Sequence, residues 1–209
     1  YPSMSPLQLG GKQGSAVALG YFDGIHIGHR AVIGGAVDWA RAHGAAAALF
    51  TFKLPGGRKI KGRRLFSVED KRRIVAGLGI EHYLVPAFAD IMAMTPEQFV
   101  LGLVADCRAR AFFCGENFTF GAKAAGDPAL LKKLCAPLGV EVHVLPMAAF
   151  EGRPVSSTRI RAALEGGDIP AVNAMLGTPY AIRFPVQHGA GLGRTLGVPT
   201  INQIYPEGY

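Results

Sequence analysis

Ser15-Ala-Val-Ala-Leu-Gly20, followed without a break by Tyr21-Phe-Asp-Gly-Ile-His-Ile-Gly-His-Arg30, reads as a short buried strand that turns directly into a helix. In an open α/β sheet that turn is where ligands bind. The helix N-terminus presents unpaired backbone N–H groups and a partial positive charge, so the position suits a phosphate. His26 and His29 stand three apart in the first helical turn, and Gly28 between them lets a ligand approach the backbone closely. The stretch supplies donors and a dipole to an anion, but no nucleophile. Other readings of the two histidines are surface or capping residues, or two ligands of a zinc site, although no nearby Cys, Asp or Glu completes metal-ligand spacing. No G-x-x-x-x-G-K-[ST] run occurs, so a P-loop is excluded.

The same alternation continues outward. Gly28 to His43 has helical length and stops at Gly44; Ala45 to Phe52 is a second apolar strand; Lys53 to Arg64 is polar, Gly-rich and basic. Ser67-Val-Glu-Asp70 resembles a capping box opening a helix to about Gly77, and Glu81 to Pro86 reads as a third strand. Thr95-Pro-Glu-Gln98 starts another helix, with Thr as cap and Pro at the first position. Ala111 to Gly115 and Glu141 to Leu145 are strands, and Pro128 to about Leu138 is a helix. Ser156 or Ser157 caps a helix to about Glu165, and Asp168 caps another to about Leu176. Strands alternating with helices predict a Rossmann-like α/β domain with a parallel sheet. From Tyr180 the pattern changes to strand (Tyr180 to Gln187), Gly-rich turn (Gly189 to Gly193) and strand (Val198 to Asn202) with no helix between, which places a boundary near residues 177–179.

Two further segments follow strands of that sheet. In Val155-Ser-Ser-Thr-Arg-Ile-Arg161, hydroxyls at a helix start either cap it or hold phosphate oxygens, and Arg161 lies one turn beyond Thr158, so both can face one anion. In Cys114-Gly-Glu-Asn-Phe-Thr-Phe-Gly121, Asn117 offers an amide to a base or ribose, while Phe118 and Phe120 either stack on a ring or pack in the core. Parallel strands aim all three loops at one edge of the sheet, where they can grip one triphosphate.

Composition bounds the function classes. The chain has 209 residues, 49% hydrophobic and 18% charged, enough for a real core and against disorder. Its longest apolar run, Ala45 to Phe52, is far too short to span a bilayer, and no charged-then-apolar leader opens it. Cys107, Cys114 and Cys135 form no C-x-x-C pair, as in a reduced cytoplasmic protein. A net charge of +7 favours anionic partners, whether nucleic acid or phosphorylated small molecules. Basic and aromatic residues are not interleaved, so nucleic acid is the less supported partner, and no membrane is expected.

Taken together, the motifs resemble those of the prokaryotic FAD synthetases, bifunctional riboflavin kinase/FMN adenylyltransferases. Gly20 to His29 is similar to their G-x-F-D-G-x-H-x-G-H signature; Gly115 to Gly121 and Ser156 to Arg161 match two further blocks in order, with Ser67 to Lys71 and Thr95 to Phe99 between them. Gly191-Leu-Gly-Arg-Thr-Leu-Gly-Val-Pro-Thr-Ile-Asn202 resembles the entry motif of the kinase domain. The resemblance implies an HxGH nucleotidyltransferase domain over residues 1–177, then the first part of a β-barrel riboflavin kinase domain over 178–209. It implies transfer of AMP from ATP to FMN with Mg²⁺, and phosphorylation of riboflavin by the full-length protein. His26, His29 and Arg161 would act on the phosphates; Phe22, Asp23, Gly24, Gly28, Asn117, Phe120, Ser157 and Thr158 would bind ATP or FMN; Thr200 and Asn202 would hold the kinase Mg²⁺.

Two departures stand out. The family's T-F-x-P-H-P is Thr51-Phe-Lys-Leu-Pro-Gly-Gly57 here, without the histidine, although Lys53, Arg58, Lys59 and Lys61 bring charge nearby. The family's P-T-A-N is Pro199-Thr-Ile-Asn202, and the rest of the kinase domain with its catalytic glutamate would lie beyond Tyr209. The residues given are therefore not expected to phosphorylate riboflavin. Alternatives are an HxGH nucleotidyltransferase with another phosphorylated acceptor, and a non-enzymatic flavin or nucleic-acid binding protein.

Overall fold

The computed structural model describes residues 7–52 and 64–204. The expectations for Lys53, Arg58, Lys59 and Lys61 lie outside the described residues. Five strands, β1 (Ser15–Leu19), β2 (Ala46–Phe50), β3 (His82–Leu84), β4 (Ala109–Gly115) and β5 (Glu141–Leu145), form one parallel sheet in the order β3-β2-β1-β4-β5. The chain order reverses between β1 and β4, so the carboxyl ends of those two strands border the crevice of a doubly wound sheet. Gly20 and Gly115, the residues at those ends, open two of the loops singled out above.

Helices cover both faces because the central strands are apolar throughout; every residue of β1 and of β2 is buried. On one face Ala16, Ala18, Leu49 and Phe113 pack with Ile33, Ala36 and Val37 of α1 (Ile27–Ala42) and Val75 of α2 (Val68–Gly77). On the other, Val17, Leu19, Phe50 and Phe112 pack with Phe99 and Leu103 of α4 (Pro96–Cys107) and Leu131 of α5 (Pro128–Cys135). The three cysteines are buried and free, and burial pushes the Cys107 thiol up to about 12. A third cluster joins Leu65 and Phe66 to Ile160 of α6 (Ser157–Glu165) and Val172, Met175 and Leu176 of α7 (Ile169–Leu176).

Capping follows the sequence closely. Ser67 Oγ accepts from Asp70 N at 2.9 Å, and Thr95 with Gln98 forms a complete capping box behind Pro96. Ser156 caps α6, which leaves Ser157 at its first position. Two short elements escape the sequence pattern: α3 (Phe88–Ile91), and the hairpin of β6 (Ala149–Phe150) with β7 (Arg153–Pro154).

Beyond Gly177 the structure corrects the expected strands. Only β8 (Val186–Gln187) and β9 (Asn202–Gln203) pair, antiparallel, and a short helix α8 (Leu192–Thr195) stands where an unbroken Gly-rich turn was expected. Tyr180 still packs on Phe66, but Val186, Leu196, Val198 and Ile201 are 62–72% exposed, so the far part of the apolar alternation has no covered face. A strand needs ladder partners and a covered face, and Pro185 and Pro199 each remove a donor.

Candidate active site

The loop between β1 and α1 folds back over the end of its own strand. Phe22 and Ile25, both buried, hold φ of 49° and 39°, in the left-handed region that non-glycine residues avoid. Such strain persists where surrounding packing enforces it, and it concentrates at functional sites. The turn brings His26 to the helix cap, where its Nδ1 accepts from the backbone N–H of His29 at 3.3 Å. Because Nδ1 accepts, we assign the His26 proton to Nε2.

The His26 and His29 rings stack with centroids 3.6 Å apart and 16° between planes, and Phe22 meets His29 edge-on at 5.2 Å. His29 Nδ1 is sealed from solvent with no hydrogen-bond partner among the described residues. An orphaned acceptor costs less than an orphaned N–H, so His29 too is assigned its proton on Nε2. Burial holds both rings neutral: His26 falls to about 4, and His29 goes well below the usual histidine value through burial, the His26 ring and the Lys71 charge, in that order.

This depression has a sign in stability. The folded protein refuses protons that the unfolded chain accepts below about pH 6.5, so stability is full above that pH and falls as pH drops toward 4. His26 alone accounts for a loss of about 2 kcal/mol by pH 5 and about 3 kcal/mol by pH 4. Urea denaturation of the wild type and His26→Asn at pH 7.5 and pH 5 measures it. Asn retains a cap acceptor, so the variant is expected to show the shallower loss.

The histidines line a cleft of about 390 Å³, together with Phe22, Asp23, Gly28, Asn117 and Ser157 from the expected set. Tyr21, Phe52, Phe118 and Pro146–Ala148, the loop after β5, complete the wall. The parallel-sheet argument places the Val155–Arg161 segment after β5, and the residues directly following that strand, Pro146–Ala148, line the cleft by the same logic. Asn117, from the loop after β4, and Ser157, from the first turn of α6, line the same cleft. A second, apolar cavity of about 670 Å³ adjoins the first, and both are lined by Gly20, Phe52, Phe118 and Thr119.

Four expected residues do not line the cleft. Phe120 is 5% exposed, packs on Phe99 at 5.3 Å, and faces the apolar cavity instead. Gly24 lies beneath the wall, where an added Cβ would come within 2.9 Å of Leu65 Cδ1 and 3.1 Å of Ser157 Oγ. Thr158 and Arg161, expected to face one anion, part company: Thr158 is exposed, while Arg161 is buried and ion-paired with Asp23. Ile160 and Arg161 lie on the α6 side that packs into the molecule, which overrides the one-turn spacing. Asp23 and Arg161 thus tie the β1–α1 loop to α6 beneath the cleft. Gly24→Ala forces those same two elements apart, at an expected stability loss of about 1–3 kcal/mol read from thermal denaturation.

Thr200 and Asn202 are exposed at the far end of the chain. A hydroxyl and an amide are two neutral donors, short of the carboxylate and substrate oxygens with which magnesium is usually held. Among the described residues no cluster of three His, Cys, Asp or Glu side chains could hold a metal ion, and no helix is long and apolar enough to cross a membrane.

Comparisons with known proteins give the chain's family. Residues 10–159 match the family described as FAD synthetase, and residues 176–208 match riboflavin kinase. The chain is 34% identical to a bifunctional riboflavin kinase/FMN adenylyltransferase of Bacillus subtilis, over 90% of this chain and 61% of that protein. It is 32% identical to the Escherichia coli K12 protein of the same name, over 91% and 63%. The chain thus spans less than two thirds of the length of these curated relatives. A crystal structure described as a macrolide-efflux protein from Streptococcus pneumoniae superposes with a TM-score of 0.80 at 28% identity, covering 94% of this chain and 66% of that one. With the histidine loop at the switch point of the sheet and the family match running from before β1 into α6, the chain belongs to the FAD synthetase family.

Proposed function

We propose that the chain transfers AMP from ATP to FMN, giving FAD and pyrophosphate, and that the full-length protein also phosphorylates riboflavin. The observation that carries this reading is the pairing of cavities. A cleft with two neutral histidines and the N-terminal ends of α1 and α6 adjoins an apolar cavity lined by Phe52, Phe88, Phe99, Phe118 and Phe120. The first suits a triphosphate, and the second suits a flat hydrophobic ring. The division at residue 177, with the nucleotidyltransferase before it and kinase sequence after it, is part of the same proposal, as is a cytoplasmic location.

The chemistry asks for positioning and charge stabilisation. A phosphate monoester has a second pKa near 6, so at neutral pH the FMN phosphate is a dianion and needs no general base. One of its oxygens forms the new bond to the α-phosphorus of ATP, and the bond to the β-phosphate oxygen breaks, releasing pyrophosphate. Two Nε2–H donors and helix N-terminal amides stabilise charge on the α-phosphate and the leaving group. Magnesium would enter as a partner of the substrate phosphates, whose charge it would help neutralise, since the described residues offer it no cage of their own. Incubation with FMN, ATP and Mg²⁺ is expected to yield FAD; folded protein that makes none overturns the reading. A second acceptor class stays open because the family's T-F-x-P-H-P histidine is absent at residues 51–57, whose latter part lies outside the described residues. Phosphopantetheine and nicotinamide mononucleotide, offered beside FMN, discriminate the two.

A further inference from the structure

Lys71 is a half-buried cation with no carboxylate of its own. It lies in α2, four residues after the cap Ser67, and its Nζ stands 5.7 Å from the centroid of the Tyr21 ring. Among the described residues it makes no ion pair. The neighbouring Asp70 is already engaged, accepting from Ser67 Oγ at 2.8 Å and meeting Arg183 and Arg73 at 3.4 and 3.7 Å. The stretch from Lys53 to Arg64 contains no acidic residue that could serve instead.

A lysine in such a place ordinarily snorkels to water or finds an acid. Here burial works against the charge, the field of Asp23 supports it, and Arg64 opposes it. The charge is felt at the His29 ring, which it helps to keep neutral. Tyr21, Asp23 and His29 line the cleft while Lys71 itself does not, so its ammonium stands behind that wall, over the Tyr21 ring, with a four-carbon stem that can carry it round to a ligand. Asp23 is ion-paired with Arg161, so its carboxylate is shared between that guanidinium and the field it exerts on Lys71. A desolvated ammonium beside two neutral donors is a receptor for phosphate oxygens.

We propose that Lys71 is a phosphate-binding residue of this cleft, taking oxygens either of the leaving pyrophosphate or of the acceptor monophosphate. The proposal deepens the adenylyl-transfer reading and rests on it for the identity of the two phosphates. Bringing two anions together is the electrostatic cost of that reaction, and a mobile cation on a four-carbon stem reduces it.

The test is direct binding, which does not depend on turnover. Inorganic pyrophosphate with Mg²⁺ is titrated by calorimetry, and FMN by its fluorescence, into the full chain as wild type, Lys71→Met and Lys71→Arg, each checked for unchanged thermal unfolding. Lys71→Met is expected to weaken at least one of the two ligands about tenfold, and Lys71→Arg to recover most of that loss. Weakening of pyrophosphate assigns Lys71 to the leaving group; weakening of FMN assigns it to the acceptor. Both affinities unchanged within about twofold in Lys71→Met, a loss equally deep in Lys71→Arg, or no binding of either ligand by the wild type overturns the proposal. A wild type that binds pyrophosphate but forms no FAD overturns the adenylyl-transfer reading and leaves the lysine assignment readable from the pyrophosphate arm.

Discussion

Asp23→Ala is expected to destabilise the protein by about 3–5 kcal/mol, the cost of taking the carboxylate from a buried ion pair. Asp23 and Arg161 are 6% and 8% exposed, and the bond between them joins residues 138 apart in sequence. Removing the carboxylate takes an ion-paired counter-charge from the buried Arg161 guanidinium. For a domain of this size each kcal/mol moves the melting temperature by about 2–4 °C, so a drop of roughly 6–20 °C is expected. Asp23→Asn keeps the shape and an acceptor, and should fall between the wild type and Asp23→Ala. The double variant Asp23→Leu with Arg161→Met replaces both charges by apolar groups and should lose less than the single Asp23→Ala, because both charges leave together. A double-mutant cycle isolates the coupling. An Asp23→Ala protein within about 1 kcal/mol of wild type would show that the pair is not structural. FAD formation is expected to fall in the single variants below their melting temperatures, since the pair sets the spacing between the β1–α1 loop and the first turn of α6.

That pair also shows where sequence reading stops. The loops after β1 and β4 and the start of α6 were legible because a parallel sheet sends every strand's carboxyl end to one edge, so local motifs at strand ends translate into proximity. His26, Asn117 and Ser157 reach one cleft for that reason. Arg161 was read by helical spacing as a partner of Thr158, but spacing says only which residues are neighbours, not which side of the helix faces the core. The packing of Ile160 and Arg161 inward is a tertiary fact about Leu65 and Val172, visible only when α6 is docked. Lys71 carries no site signal in the sequence for a similar reason. A lysine in an amphipathic helix looks like any solvated one, and its meaning comes from Tyr21 and Asp23, on a different loop. At the other end of the chain, the alternation from Tyr180 to Gln187 predicted a full strand, yet period alone cannot make a ladder. Without neighbours to cover Val186, Val198 and Ile201, only two residues on each side pair.

His29→Ala is expected to lower the turnover for FAD formation by about 10²–10³, the cost of removing one preorganised donor to developing charge. Affinities for ATP and FMN should change far less, because a donor that strengthens in the transition state contributes to kcat rather than to ground-state binding. Equal losses in affinity and turnover would reduce His29 to a binding residue. The ring's surroundings add a second readout. His29 carries a sealed, unpartnered Nδ1, and burial holds the ring neutral. At neutral pH the neutral ring itself costs nothing, and replacement removes the cost of the orphaned Nδ1 along with the stacking on His26 and the edge contact from Phe22, so the variant's melting temperature should stay near that of the wild type. A residue that costs stability where it stands, and whose loss leaves the fold intact while turnover collapses, is there for the reaction. The assigned tautomer sharpens the test. Gln places an amide N–H near the position of Nε2, whereas Asn reaches only as far as Nδ1, so His29→Gln should regain part of the lost turnover and His29→Asn none. Recovery by Asn instead would move the working proton to Nδ1. The pH dependence follows from the same neutrality: between about pH 5.5 and 8 the rate of the wild type should track the second ionisation of the FMN phosphate near 6, with no separate histidine limb.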